Sequence, residues 1–432
     1  MLTVILIVTI LTGFILMTKG ILKQEVAMPL VAFIAIILAG EIDGSRALHE
    51  GFSEFSRIAI LFTAVAVPAH ILQRSKVLDW VGMLMGEFIG KIHKKTKTSI
   101  KIIIPLSCLV MVYIMAALFH NTTSILISAL IIYVICKSYN VKSIPVLAGA
   151  LVASNLGGFS TRWGDTPNIV ESATWNLNHF HFFSEIMPLN IVALLLLVII
   201  ISIWLILSSR KDSHKSTRME TTFSIIKFRN ARRDMSLDKR LIFIGLMGLV
   251  IAIVLPLFFI QYEIIFSCLA IVICVLADYK DHRSETLLAL GIETYATLVS
   301  IFVLAQVLAN SHIGIGKILY SWVAHSNGSV FVITSSAYIG TLFTEAASWA
   351  SVASPIIHAK DPSHLAAWAL GSGIFAGSSS LVTAASAGII LTRETKDNPK
   401  DARITFGSYV VFGLSFSLFM LAFYTIVLQT FY

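Results

Sequence analysis

Two carboxylic acids, Asp165 and Glu345, stand in stretches of the sequence that are otherwise rich in apolar and small residues. A carboxyl group in an apolar environment is costly unless it is paired, hydrated or protonated. Such a group is therefore suited to bind a hard cation or to carry a proton. For Asp165 the alternative is a salt bridge that only stabilises the fold, because Arg162 is close to it in the sequence.

Arg162, His120 and a run of serines complete the side chains with candidate chemistry. Arg162 pairs with one of the two carboxyl groups, binds an anionic substrate, or extends to the membrane surface, and the residue types leave these alternatives open. His120 is either a proton-linked group or a hydrogen-bonded part of the scaffold. Ser379 and Ser380 are candidate cation ligands, or small residues that let helices pack closely.

The segment "SNLGGFSTRWGDTPNIV", residues 154–170, interrupts an apolar run with polar and helix-breaking residues. Thr166 followed by Pro167 predicts the N-cap and first turn of a short helix. Gly157 and Gly158 predict the end of the preceding helix, with a left-handed backbone that frees carbonyl groups. Helix N-termini carry partial positive charge and C-termini partial negative charge, so the break can bind an anion, a cation or both. Its candidate ligands are Asn155, Thr161, Asp165 and Asn168.

The composition of the chain identifies the environment of these residues. Of its 432 residues, 56% are hydrophobic and only 13% are charged. A soluble domain typically has about 25% charged residues. Apolar runs of about 17 to 25 residues recur along the chain, which is typical of transmembrane helices. The sequence therefore predicts an all-α polytopic membrane protein.

The net charge of +8 arises largely from basic residues in short loops, so it indicates membrane topology and not nucleic-acid binding. Loops rich in Lys and Arg are predicted to face the cytoplasm: 91–101, 137–142, 210–240, 278–283 and 392–403. Residues 41–55 are mainly acidic and residues 173–183 contain neither Lys nor Arg, so both are predicted to be external. The four cysteines lie in apolar runs without the spacing of a metal site.

The chain must turn back between the two cytoplasmic loops 91–101 and 137–142, and the polar residues "HNTT", 120–123, mark the turn. Either two full spans meet at an external turn, or a re-entrant hairpin turns inside the membrane. A polar tip suits a hairpin that lines a cavity, since irregular backbone is tolerated at membrane depth only there. Asn121 and Thr122 begin a helix at this tip and are candidate ligands.

The order span, hairpin, broken helix occurs twice, in two halves joined by a basic cytoplasmic linker. Loop charges indicate that the two hairpins enter from opposite faces, so the repeats are inverted. Each half is predicted to have five transmembrane helices and a re-entrant hairpin, with discontinuous helices at the midplane and both termini outside. The predicted boundaries are 1–209 for the first repeat (hairpin about 102–136, broken helix about 144–172), 210–240 for the linker, and 241–432 for the second repeat (hairpin about 327–358, broken helix about 365–391).

The segment "GGFSTRWGDTPNIV" resembles the first-repeat signature of the ion transporter superfamily, which includes citrate-transporter-like proteins, arsenite efflux pumps and sodium/proton antiporters. "HNTT" is similar to the Asn-Thr hairpin tip of that family, which implies a re-entrant hairpin with Asn121 and Thr122 at the site. The second half departs from the pattern, because Glu345 aligns near Asn121 and the break "SSSLVTAASAG" contains no Asn. Members of the family are often dimers, so the resemblance implies a possible homodimer. The matching residues are Gly157, Gly158, Thr161, Gly164, Asp165, Pro167 and Asn168.

Acidic groups at a repeat interface predict a secondary active transporter, first of all a sodium/proton antiporter that works by alternating access. Asp165 and Glu345 would bind the cation or the proton. The alternative is sodium- or proton-coupled transport of an anion, held by Arg162 and the half-helix N-termini. The anion would be either a carboxylate such as citrate, or arsenite. A third hypothesis is a degenerate carrier that acts as a membrane scaffold.

The chain shows no paired-His metal motif, nucleophile elbow or phosphate loop, so neither an enzyme nor a structural metal is predicted. No cofactor is expected beyond the coupling ions, sodium and protons. The predicted partners are a small ion and the lipid bilayer, with no nucleic acid. Short loops favour a bacterial inner membrane.

Overall fold

A computed structural model describes residues 2–18, 21–22, 24–208, 218–288, 291–310, 321–323, 325, 329–344, 346–382, 384–396, 398–399 and 402–431. Glu345 lies outside the described residues. Within these ranges the chain forms helices and no strand, which confirms the all-α prediction.

The first half contains eight helices among the residues described: α1 (Leu2–Thr18), α2 (Gln24–Arg74), α3 (Val77–Thr96), α4 (Ile100–Phe119), α5 (Asn121–Ser138), α6 (Ser143–Phe159), α7 (Thr166–Trp175) and α8 (His179–Ser208). Near its start, α8 includes a π-helical turn, Phe182–Ile186.

The described residues from 218 onward contain these further helices: α9 (Arg218–Asp234), α10 (Lys239–Leu249), α11 (Glu263–Ala277), α12 (Arg283–Leu287), α13 (Ile292–Asn310), α14 (Val330–Thr344), α15 (Ala346–His358), α16 (His364–Ser378), α17 (Ser386–Glu394) and α18 (Phe406–Phe431). A π-helical turn, Val250–Val254, continues α10 into the short helix Leu255–Phe258.

Five helical segments in the described part of the chain are long and apolar enough to cross a membrane: Val26–Ser53, Ile100–Phe119, Asn121–Ser138, His179–Ser208 and Phe406–Phe431. Outward-facing apolar side chains on α8 recur every four residues, at Ile191, Leu195, Ile199 and Ile203, and each is at least 44% exposed. A helix stripe of this kind suits contact with lipid tails. The inverted relation of the two halves stays a prediction.

The segment 41–55, predicted as an external connection, is helical and belongs to α2. The backbone departs from helical geometry at Gly40, where φ is 84°, a value that glycine adopts without a steric penalty. Beyond this kink, Gly51 lies so close to α13 that a Cβ atom there would be 2.7 Å from Cα of Val303. The segment is therefore held by helix packing, although its polar composition is typical of a loop.

Three of the predicted cytoplasmic segments, 91–101, 210–240 and 278–283, are joined by side-chain contacts. Helix α9, from the basic linker, packs on α3, and the Glu87 carboxylate of α3 accepts hydrogen bonds from Arg229 (3.1 Å) and Arg232 (2.8 Å). Lys91 lies 2.8 Å from the same carboxylate. Arg74 also donates to Asp278 at 2.7 Å. These contacts agree with the prediction that these three basic loops share one side.

Candidate functional site at the two broken helices

Each half contains a helical hairpin followed by a broken helix. In the first half α4 and α5 meet at His120, within the turn predicted at 120–123, and Asn121 begins α5 as expected. In the second half α14 ends at Thr344 and α15 begins at Ala346. The re-entrant character of both hairpins stays a prediction.

The broken helices are the pairs α6–α7 and α16–α17. Each short half-helix packs against the second arm of the hairpin in the other half: α7 contacts α15, and α17 contacts α5. Helix α16 also contacts α6 and α7. Both breaks therefore lie where the two halves of the chain meet.

The N-terminus of α7 is capped by Asp165, and not by Thr166 as predicted. Asp165 has an extended backbone, and its Oδ1 accepts a hydrogen bond from the Thr166 amide at 2.8 Å. Asp is a strong N-cap residue because its oxygen satisfies an otherwise unpaired amide of the first turn. Thr166 is instead the first helical residue, followed by Pro167. Helix α7 therefore begins one residue earlier than predicted, and one carboxylate oxygen of Asp165 is part of its cap.

The glycines that end α6 also differ from the prediction, because neither Gly157 nor Gly158 has the expected left-handed backbone. Gly157 is needed for close packing: a Cβ atom there would collide with the carbonyl oxygen of Tyr113 on α4. The carbonyl of Gly158 is bound, since it accepts a hydrogen bond from Asn168 Nδ2 at 2.8 Å. The same nitrogen donates to the carbonyl of Thr161 at 2.6 Å. Asn168 therefore closes the break by binding the backbone.

Polar side chains from both halves form one hydrogen-bonded group, which we term the polar cluster. Asn121 is its centre, with Nδ2 donating to Asp165 Oδ2 at 2.9 Å and to Asn155 Oδ1 at 3.4 Å. Its Oδ1 accepts from the Thr122 hydroxyl at 3.0 Å. The members are Asn121, Thr122, Asn155, Asp165, Ser379 and Ser386.

Two contacts of the polar cluster cross from one half to the other. Asn155 Nδ2 donates to the Ser379 hydroxyl at 3.2 Å, and the hydroxyl oxygens of Thr122 and Ser386 are 3.0 Å apart. Thr122 and Ser386 stand in the first turns of α5 and α17. The N-terminus of the second hairpin arm of the first half, α5, therefore meets the N-terminus of the half-helix α17 of the second half. Ser386 was not among the predicted site residues, because a serine among many small residues carries no distinguishing signal.

Three other predicted ligands bind backbone and not the polar cluster. The Thr161 hydroxyl donates to the carbonyl of Ala117 at 3.0 Å and so ties the first break to the hairpin. The Ser380 hydroxyl, just past the end of α16, donates to the carbonyl of Gly377 in the last turn of that helix. Asn168, described above, is the third.

Arg162 and His120 lie beside the first break. Arg162 is 7% exposed, and its Nε donates to the Ser172 hydroxyl of α7 at 3.0 Å. Nε2 of His120 is 4.0 Å from Asp165 Oδ1. With His179, both line a cavity of about 30 Å³, roughly the space of one water molecule.

Glu171, on α7, was not predicted as a site residue. Its side chain is fully buried, and within the described residues neither carboxyl oxygen has a hydrogen-bond partner. It faces α16, because a Cβ atom on Gly371 would lie 2.7 Å from Oε2. A lone Glu six residues after Asp165 was the available signal, but a single acidic residue on a short helix is more often solvent-exposed.

Buried hydroxyl groups and one amide fix the end of α6. Ser160 lies 2.7 Å from the Tyr113 hydroxyl of α4 and accepts from Asn190 Nδ2 of α8 at 2.9 Å. The Tyr424 hydroxyl of α18 donates to Asn190 Oδ1. These bonds join four helices around the first break, so its position is set by the scaffold. The isolated Asn190 in an apolar run was a signal that sequence reasoning did not use.

A family model described as "Citrate transporter" matches residues 3–373. The chain belongs to the citrate transporter family. This confirms the resemblance seen in the sequence.

Individual relatives of this citrate transporter family member are distant. An uncharacterized transporter of Mycobacterium tuberculosis is 25% identical over 200 residues, which cover 45% of this chain and 44% of the relative. The magnetosome protein MamN of Magnetospirillum gryphiswaldense is 25% identical over 271 residues, 59% of each chain. The chain thus spans only about half the length of the curated relatives that it matches.

Among solved structures, the crystal structure of the Alcanivorax borkumensis YdaH transporter has a TM-score of 0.47 and 12% sequence identity. The superposition covers 90% of this chain and 89% of that chain.

Proposed function

We propose that the chain is a secondary transporter that carries a carboxylate such as citrate across the membrane together with protons or sodium ions. The observation that carries this proposal is the meeting of the α5 and α17 N-termini, through the Thr122 and Ser386 hydroxyls 3.0 Å apart. Helix N-termini present amide hydrogens and partial positive charge, which favour a bound carboxylate. The family match, to a model described as "Citrate transporter", supports the same substrate class.

Coupling to a cation follows from the position of Asp165. Its Oδ2 is 2.9 Å from Asn121 Nδ2, at the centre of the polar cluster. An ionised Asp165 repels an anion that enters this cluster, and the repulsion is strong where water is excluded. A proton or a sodium ion on Asp165 removes the repulsion, so the anion and the cation bind more tightly together than alone. This mutual strengthening is the thermodynamic requirement for co-transport.

Glu171 supplies a second site for a proton. An ionised carboxylate in its position would lose its hydration without gaining a hydrogen bond, whereas the neutral acid avoids most of that cost. Movement of α7 away from α16 would expose Glu171 to water and remove the penalty. Proton release is thereby tied to the separation of the two halves.

A sodium/proton antiporter is the second candidate function, and one observation favours it. Asp165 caps the half-helix α7 that carries Glu171, and both carboxyl groups lie at the interface of the halves. Two acidic groups in one site allow a metal ion and protons to compete for it. In this version no anion is carried, and the polar cluster binds the cation through its oxygen atoms.

The deciding experiment uses the purified full chain in liposomes with an internal pH dye. Labelled citrate is added under an imposed proton gradient, a sodium gradient, or neither. Citrate uptake that depends on one of the gradients supports co-transport. Proton movement driven by sodium, without any citrate, supports the antiporter instead. If neither solute moves, both proposals fail and the scaffold hypothesis takes their place.

Substitutions test whether the polar cluster binds the transported anion. Thr122→Val removes the hydroxyl that contacts Ser386 while preserving the side-chain shape, and we expect citrate uptake to fall about tenfold, from the loss of one hydrogen bond to a charged group. Thr174→Val is the matched control on α7, because the Thr174 hydroxyl donates only to its own helix at Val170. Equal uptake by both variants would contradict the placement of the anion.

A further inference from the structure

A second group of functional side chains lies at the opposite end of the molecule from the basic loops. His181 and Glu185 stand one turn apart near the start of α8, and His364 is the first residue of α16. One potential ligand atom from each of the three lies within 4.8 Å of the others. The group is partly exposed, with 24% of the Glu185 side chain and 42% of the His364 side chain accessible. A soluble ion can therefore reach it.

The geometry points to a transition-metal site, occupied by Zn²⁺, that His181, Glu185 and His364 form between the two halves. Two imidazoles and one carboxylate are a typical zinc ligand set that leaves a fourth position open. With bond lengths of about 2.0–2.1 Å, ligand atoms of a tetrahedral site lie roughly 3.3 Å apart. The three side chains therefore need to close by roughly 1.5 Å at most, a distance within the reach of side-chain rotation.

The surrounding contacts hold two of the ligands in place. Trp368 Nε1 donates to Glu185 Oε2 at 2.7 Å, which orients the carboxylate and leaves Oε1 facing His364, 3.8 Å from its Nδ1. The ring centroids of His181 and His364 are 4.5 Å apart. The π-helical turn Phe182–Ile186 widens α8 between His181 and Glu185. Such turns are frequent at functional sites.

Metal binding would alter one local hydrogen bond. Nδ1 of His181 accepts a hydrogen bond from the Asn178 amide at 3.1 Å as part of a capping box. A neutral imidazole that binds a metal through Nε2 carries its proton on Nδ1, so it can no longer accept this bond. Binding of the ion therefore breaks the hydrogen bond between Asn178 and His181 within the first half, and it forms a metal link between the two halves. Because α16 leads into the second break, a bound Zn²⁺ restrains the interface that must open during transport.

The test is a titration of the purified full chain with zinc chloride, followed by calorimetry. We expect binding in the micromolar range at one ion per chain. His181→Gln, Glu185→Gln and His364→Gln should each weaken binding by more than about tenfold. Gln at position 181 still offers an acceptor to the Asn178 amide, so this variant tests the metal and not the cap. His358→Gln is the matched control, since His358 packs against the Trp175 ring and lies outside the triad.

Cobalt provides a second measurement, because Co²⁺ in the same ligand set absorbs visible light in a way that reports its coordination. Trp368→Phe keeps the ring but removes the indole donor, and we expect Zn²⁺ affinity to fall about tenfold. The proposal is overturned if the unchanged protein does not bind Zn²⁺, or if all three ligand variants bind it as tightly as the unchanged protein.

The effect on transport rests on the proposed function, and it is measured separately. Saturating Zn²⁺ should slow citrate uptake by the unchanged protein and leave uptake by His364→Gln unaffected. If Zn²⁺ binds but citrate uptake is as fast as without Zn²⁺, the site exists but does not restrain the interface of the halves. If the protein carries no citrate, the binding measurement still decides the site.

Discussion

Two buried carboxyl groups, Glu87 and Glu171, have opposite surroundings. Glu87 is 1% exposed and receives hydrogen bonds or ion pairs from Lys91, Arg229 and Arg232. Glu171 is fully buried, and among the described residues neither of its oxygens has a hydrogen-bond partner. Glu87 joins the linker helix α9 to α3, whereas Glu171 lies between α7 and α16 at the interface of the halves. A buried carboxylate that is paired with cations stabilises the contact between two helices. A buried carboxyl group without such partners is suited to gain and lose a proton.

Glu171→Gln should have the largest effect of the substitutions that test this comparison. It leaves the shape of the side chain but removes the proton that Glu171 can carry. We expect citrate uptake driven by a proton gradient to fall by at least about tenfold, within the usual range of coupling between two sites. Thermal stability should be unchanged or higher, because a buried ionisable group is removed. A variant with normal proton-driven uptake would show that Glu171 is not a coupling site.

Glu87→Gln should show the reverse pattern, with lower stability and normal uptake per folded molecule. The loss of charge leaves three cations without their counter-ion, and the expected cost is about 1–3 kcal/mol. The melting temperature in detergent measures it. If Glu87→Gln is as stable as the unchanged protein, the ion pairs of Glu87 do not stabilise the fold and the proposed difference from Glu171 is wrong.

The ion pairs of Glu87 also predict that the stability of the protein depends on pH. Hydrogen bonding from Lys91, with Arg229 and Arg232, lowers the pKa of Glu87 to about 2 from its usual value of 4.5. The stabilisation is therefore fully present above pH 4.5, and it is lost as the pH falls towards 2. The difference in melting temperature between the unchanged protein and Glu87→Gln should shrink over that acidic range. A constant difference would contradict the assigned cause.

Gly371→Ala tests how tightly Glu171 is enclosed. The new Cβ atom would lie 2.6 Å from a ring carbon of Phe159 and 2.7 Å from Glu171 Oε2, so side chains must shift. Overpacking of this kind costs about 1–3 kcal/mol. Gly407→Ala is the control, because nothing lies within 4 Å of its added Cβ atom. Equal melting temperatures for the two variants would indicate a loosely packed interface around Glu171.

The sequence predicted those features of the site that have a local cause. Asn121 and Thr122 begin a helix after a polar turn, and Pro167 marks the start of α7, because capping and proline geometry depend on neighbouring residues only. The N-cap of α7 was assigned one residue late, since Asp165 and Thr166 are both good caps. Glu345 lies outside the described residues, so its role stays a prediction.

Features of the site that depend on tertiary contacts could not be predicted in this way. The pairing of Thr122 with Ser386, and the enclosure of Glu171 against Gly371, join residues from opposite halves of the chain. Nothing in their local sequence distinguishes them from ordinary packing residues. The left-handed backbone predicted at Gly157 was wrong, because its close approach to α4 appears only when the helices are assembled. The backbone contacts of Asn168 across the break have the same tertiary origin.

Each half-helix packs against a hairpin arm of the other half, and this arrangement affects the order in which the protein can fold during synthesis. The contacts of the polar cluster across the interface join residues 224 and 264 positions apart, and Trp175 donates to the carbonyl of Asp361, 186 positions later. During synthesis α7 therefore emerges long before its packing partner α15. The first half must wait in the bilayer with Glu171 uncovered until the second half has been translated, and contacts between such distant residues form late in folding. Synthesis of the second half thus completes the fold and the site in a single step.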